Sequence, residues 1–70
     1  YTWFSTVTSI LSVQAIPIFI DINTDTFTMD PSQIEKHITP RTKAILAVSM
    51  YGHPADYDVI IPIAKKHGLV

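Results

Sequence analysis

The chain has 70 residues, Lys plus Arg 5 against Asp plus Glu 6, no cysteine, and 47% hydrophobic against 16% charged side chains. A domain this small hides about 60% of the surface its unfolded chain exposes, against an ordering cost of roughly 1.5 kcal/mol per residue, so it is marginal alone. The composition excludes a disulfide framework and a thiolate metal site, a basic stripe for nucleic acid (only Lys65 and Lys66 are adjacent cations), and a membrane span, since Pro17 and Asp21 interrupt the longest apolar run. A soluble, cytoplasmic chain is expected.

Phe4, Val7, Ile10, Leu11 and Ala15 recur near helical spacing, which predicts a helix from Phe4 to Ala15 capped by Thr2 or Ser5. The β-branched Thr6, Val7, Thr8 and Ile10 weigh against it, because they lose rotamer freedom in a helix. Ile16 to Ile22 is apolar on both faces until Asp21, the pattern of a strand buried on two sides. Asn23 to Met29 reads as a polar connection. Asp30-Pro31-Ser32-Gln33 then carries helix-start signals: an Asp cap, a proline at the first position, and a glutamine placed to complete a capping box. Ile34 and Ile38 supply the inward face of this short helix, and Thr39-Pro40-Arg41-Thr42 ends it.

Lys43 to Met50 is a second strand apolar on both faces after its first residue, and Tyr51-Gly52-His53-Pro54 is a loop. A last helix is capped by Asp56 or Asp58, with Ile60, Ile61, Ile63 and Ala64 inward and Lys65 and Lys66 toward water. Pro62 favours the later start, or else a bend. Gly68 stops this helix, and Leu69-Val70 begin another strand. Strands that alternate with helices and bury both faces imply an α/β fold, a mostly parallel sheet with covering helices. Two strands and the start of a third cannot cover themselves. Residues 1–70 are therefore expected to be a single partial domain without internal boundary, part of a larger one. Ligands in such sheets gather at the carboxyl ends of strands, here Asp21–Thr24, Ser49–Pro54 and the neighbourhood of Tyr1–Thr6.

His37, His53 and His67 share no metal-ligand spacing and read as helix-end or loop histidines, so no metal is expected. Ser49 lacks a nucleophile elbow, and no catalytic residue is assigned. Asp21 reads as a loop-capping carboxylate rather than a phospho-acceptor. Lys43 begins its strand and so lies away from the ligand edge, which opposes a Schiff-base role. On composition alone, Trp3 is either a core side chain or a flat face for an aromatic ligand.

The run Tyr1-Thr2-Trp3-Phe4-Ser5-Thr6, then Ala15 to Ile22, Asp30-Pro31, Ile38-Thr39-Pro40-Arg41-Thr42-Lys43-Ala44-Ile45, Tyr51-Gly52-His53-Pro54-Ala55-Asp56, and Ile63 to Leu69 resembles the DegT/DnrJ/EryC1/StrS sugar aminotransferases in order and spacing. The resemblance implies a fragment of the large domain of a pyridoxal 5'-phosphate (PLP) enzyme of fold type I, the aspartate aminotransferase type. Such enzymes move an amino group from glutamate or glutamine to a keto-sugar, often nucleotide-linked, in polysaccharide or antibiotic sugar biosynthesis, and work as homodimers. It also implies that Trp3, following Thr2, lies against the pyridoxal ring and so binds the cofactor. Gln14 stands where the family usually has glycine, and Ser49 where histidine is common. The family's Schiff-base lysine, the acid paired to the pyridine nitrogen, the phosphate-holding serine and the upstream phosphate-cradling segment have no counterparts here, so the fragment alone is expected to be inactive. The alternatives are a lysine-less PLP sugar dehydratase, another fold-type I enzyme such as a cysteine desulfurase, or, outside enzymes, a receiver-like α/β signalling domain using Asp21.

Overall fold

The computed structural model describes residues 2–70. Helix α1 spans Phe4–Ser12, shorter than the expected Phe4–Ala15, because Gln14 turns the chain with a φ of 61°. The Gln14 amide donates to the Leu11 carbonyl at 2.9 Å and the Ala15 amide to that of Ile10 at 3.3 Å, the paired bonds of a Schellman ending. Trp3 is the N-cap. Neither Thr2 nor Ser5 caps the helix, and the Thr2 hydroxyl donates instead to the Thr6 hydroxyl at 2.8 Å. Hydroxyls of Thr8, Ser9 and Ser12 donate back to carbonyls one turn earlier, which lets a helix rich in hydroxyl and β-branched residues satisfy them locally.

Residues 16–20, expected as a strand buried on two faces, form no strand among the described residues and leave Ile16, Ile18 and Phe19 exposed, for want of a neighbouring segment to pair with. Residues 21–30 fold back as a hairpin rather than a plain connection. Ile22 pairs antiparallel with Met29, the Asn23 amide donates to the Thr28 carbonyl at 2.8 Å, and the Asp30 amide donates to the Asp21 carbonyl at 3.0 Å. Asn23 sets the turn by accepting the Asp25 amide on its side chain at 2.8 Å, and Phe27 takes a φ of 59°. Thr28 is buried, with its hydroxyl bonded to that of Thr26.

Pro31–Gln33 form a single 3-10 turn that leads into α2, Ile34–His37. Asp30 caps it as expected, but the capping box is incomplete, since the Asp30 amide is already taken by Asp21. The Ser32 hydroxyl and amide, both donating to Asp30 Oδ1, hold this carboxyl below the usual carboxylate range. A depressed pKa stabilises the fold above the unfolded-state value, about 3.9, and that contribution is lost as pH falls through the lower folded value. The acid limb of a stability-against-pH curve is thus expected to flatten in Asp30→Asn, as read from urea midpoints below pH 4.

Residues 43–50, expected as a second strand, carry only the isolated bridge of Met50 to His53, and α3 spans Tyr57–Lys66. The helix begins after Asp56, the earlier of the two starts, so Pro62 lies inside it. The expected later start is not used: the Val59 and Ile60 amides both donate to the Asp56 carbonyl, at 3.1 and 3.0 Å, and draw the first turn back to that residue. Inside the helix, Pro62 removes the bond that a residue-62 amide would have made to the Asp58 carbonyl. Gly68, with a φ of 68°, ends α3 in the same Schellman pattern as Gln14, its amide donating to Lys65 and that of Leu69 to Ala64. The matched endings yield a paired prediction. Left-handed geometry costs a side-chain-bearing residue about 1–2 kcal/mol, offset by roughly 0.4–1 kcal/mol of unfolded-chain entropy, so Gln14→Gly should stabilise by about 0.5–1 kcal/mol. Gly68→Ala, which meets no heavy atom within 4 Å, should destabilise by a similar amount through conformation alone. Urea denaturation of the two variants checks both signs.

The Val70 amide donates to the Lys43 carbonyl at 3.1 Å and the Ile45 amide to the Val70 carbonyl at 2.9 Å, so one residue bonds to two that flank Ala44. That is the parallel pattern, made here by Val70 alone, and among the described residues no strand is assigned at residues 43–50 or after Gly68. Among the described residues, 16–20 make no backbone bonds to another segment. The core is Ile34, Ala55 and Ile60, packed with Met29, Ile38, Ile45, Ala47 and Ile63. Ile45 and Ala47 alternate along one face of their segment, the face that α2 and α3 cover. Ile61, expected inward, is 47% exposed, because it lies a helical step off the Ile60–Ile63 stripe. Lys66 faces water as expected and, from that exposed position, pairs with Glu35 of α2 at 3.7 Å.

Candidate functional site

The 21–30 hairpin and the residues from His53 to Asp58 come together around one groove. Met50 and His53 exchange both backbone bonds at 2.9 Å across Tyr51-Gly52, whose φ values are 55° and 73°. A two-residue hairpin loop with both φ values positive is a type I′ turn, normally filled by Asn-Gly. Ser49 fixes the far side of this turn, its hydroxyl accepting the Ala55 amide at 3.2 Å. The short Ser49 side chain thus ties the loop to its own backbone. A groove of about 380 Å³ lies between the turn and the 21–30 hairpin, lined by Asn23, Thr26, Thr28, His53, Asp56 and Asp58 among others.

Trp3 does not line this groove. It stands at the head of α1, its carbonyl accepting the Thr6 amide at 3.1 Å, and its indole is 79% exposed. Within this chain, then, Trp3 is not a core residue. One backbone bond anchors Trp3 at the helix start while its side chain is open, so a planar ring from outside the described residues has access to it.

The remaining candidates fall where the sequence places them. His37 ends α2, with Nδ1 2.9 Å from the Gln33 carbonyl oxygen; His67 is the C-cap of α3; His53 sits in the turn. Among the described residues, no three His, Asp or Glu side chains gather as a metal site would require. Asp21 caps its own loop, with Oδ1 accepting the Ile22 amide at 2.8 Å and its carbonyl held by Asp30, as expected of a turn carboxylate. Lys43 begins its segment at the end opposite the groove. The sequence reading missed Phe27 and Tyr51, both at positive φ, whose rings meet edge to face with centroids 6.0 Å apart at 79°. Gly52, next to Tyr51, was the one available signal of a tight turn.

The DegT/DnrJ/EryC1/StrS aminotransferase family matches residues 1–70. The chain is 49% identical over 70 residues to the pleiotropic regulatory protein of Geobacillus stearothermophilus, covering all of this chain and 19% of that protein. It is 44% identical over 69 residues to the UDP-2-acetamido-2-deoxy-3-oxo-D-glucuronate aminotransferase of Pseudomonas aeruginosa, covering 99% of this chain and 19% of that one. Among solved structures, that of S. venezuelae DesV in complex with a ketimine intermediate superposes with a TM-score of 0.95 at 40% identity, over 99% of this chain and 19% of DesV. The chain thus spans about a fifth of the length of these relatives and shares the fold of the matching stretch.

Proposed function

Because the chain belongs to the DegT/DnrJ/EryC1/StrS aminotransferase family, we propose that it is part of the large, coenzyme-binding domain of a PLP-dependent sugar aminotransferase of the aspartate aminotransferase fold type. The whole protein would transfer an amino group from glutamate or glutamine to a keto-sugar, nucleotide-linked as in the P. aeruginosa relative's named substrate. It would act as a homodimer in the cytoplasm. Among the described residues, no helix is long and apolar enough to cross a membrane. On this reading the 70 residues would be one undivided piece of that domain and would not transfer nitrogen by themselves.

One observation carries this reading: in a segment that superposes on DesV, the exposed indole of Trp3 is held at the start of α1. Trp3 would lie on the face of the pyridoxal ring, hold its tilt and keep water from that face. When bound, the coenzyme supplies an electron sink for the bond broken at the amino-bearing carbon. The Thr6 amide and the Thr2–Thr6 hydroxyl pair keep the backbone that carries the indole in place.

The test uses the whole protein. It should bind pyridoxal phosphate with an absorbance band that borohydride bleaches, and should transfer the amino group of glutamate or glutamine to a nucleotide-linked keto-sugar. A protein without the band, or one that dehydrates the sugar and transfers no nitrogen, contradicts the reading. Transamination by the isolated 70-mer would contradict the inactivity stated for it.

A further inference from the structure

Phe27 and Tyr51 lie on different loops, and each takes a left-handed backbone that an aromatic residue rarely adopts. Neither local turn asks for an aromatic there, since a type I′ turn is filled most readily by asparagine and glycine. What the two positions share is each other: the rings meet edge to face, 6.0 Å between centroids. This geometry is an attractive one for aromatic pairs. The contact joins the 21–30 hairpin to the Met50–His53 turn; the hairpin gives the groove Asn23, Thr26 and Thr28, the turn gives it His53, and the segment from Pro54 to Asp58 that follows the turn completes the wall.

The groove is lined by residues that follow 16–20 and 43–50, the carboxyl side where ligands of α/β sheets bind, and its volume of about 380 Å³ falls in the range of small-molecule sites. Its hydroxyls, amide, imidazole and carboxylates suit a ligand rich in hydroxyl groups. From these observations we infer that Phe27 is a positioning residue for the keto-sugar: its ring braces Tyr51, and so holds the Met50–His53 turn and His53 at a fixed distance from the opposite wall. The inference rests on the transaminase reading above for the identity of the ligand. Ser49 secures the turn from its other side through the Ala55 amide, so Phe27 sets the position of a turn that is already formed.

Phe27→Leu removes the aromatic edge while keeping an apolar side chain, and Phe27→Tyr restores the edge. In the whole protein, Phe27→Leu should raise amide exchange at Met50 and His53 about two- to tenfold, the scale of one aromatic pair. KM for the keto-sugar should rise by a similar factor, with kcat and the coenzyme absorbance unchanged, and Phe27→Tyr should return both to the parent values. Unchanged exchange in Phe27→Leu, a fall in kcat at constant KM, or a Phe27→Tyr variant as impaired as Phe27→Leu would each overturn the inference. If the parent protein shows neither coenzyme nor transfer, it is the transaminase reading that fails, whereas amide exchange at Met50 and His53 still judges the brace.

Discussion

Replacing Trp3 by alanine in the whole protein is expected to weaken pyridoxal phosphate binding by roughly 30- to 150-fold, about 2–3 kcal/mol. That is the sum expected for burying one aromatic face and losing one stacked pair. Because the indole is 79% exposed and packs against no core residue of this segment, the loss should fall on the coenzyme and not on the fold. Trp3→Phe keeps a flat ring of smaller area and should retain most of the affinity. Equilibrium titration of the coenzyme into each apo variant, read by absorbance, measures the series. Equal affinity in Trp3→Ala and the parent would remove Trp3 from the site.

Ile60→Ala is the substitution expected to damage stability most. Ile60 is 4% exposed and meets Ile34 from α2 and Ala55 from the loop, with Ile45 and Ala47 packed against the same cluster. Truncating an isoleucine in such a place removes transfer energy and leaves a cavity, about 2–5 kcal/mol in comparable cores. The surface pair between Lys66 and Glu35 joins the same two helices, yet an exposed ion pair contributes about 0–1 kcal/mol. Denaturation of Ile60→Ala beside Lys66→Ala should therefore separate the two by more than 1 kcal/mol, with the apolar contact as the one that holds α3 to α2. Equal losses would mean that the helices are joined by charge.

Most helix positions were legible because they rest on local rules, whereas the expected strands need neighbours that the described residues do not supply. Asp30-Pro31-Ser32 starts a helix wherever it occurs in a favourable context, and the Ile60–Ile63 and Ile34–Ile38 spacings point inward as helical period requires. Gly68 announced its own left-handed turn, whereas Gln14 was conspicuous only beside a family that has glycine there. Phe27 and Tyr51 were not legible as turn residues. Their side chains carry no preference for positive φ, and the ring contact that accompanies it joins loops far apart in sequence. Pro62 misled for a related reason: the start of α3 is set by amides that reach the Asp56 carbonyl, and they tolerate one missing bond further on. For the site, the sequence led to the carboxyl edge at Ser49–Pro54, while the groove wall formed by the 21–30 hairpin depends on cross-strand bonds that no local pattern announces.

The most direct measurement is a crystal structure of the whole protein with pyridoxal phosphate bound. The indole of Trp3 should lie parallel to the pyridine ring and in van der Waals contact with it, at the head of α1. An indole packed elsewhere, with the coenzyme ring facing some other side chain, would contradict the role given to this segment.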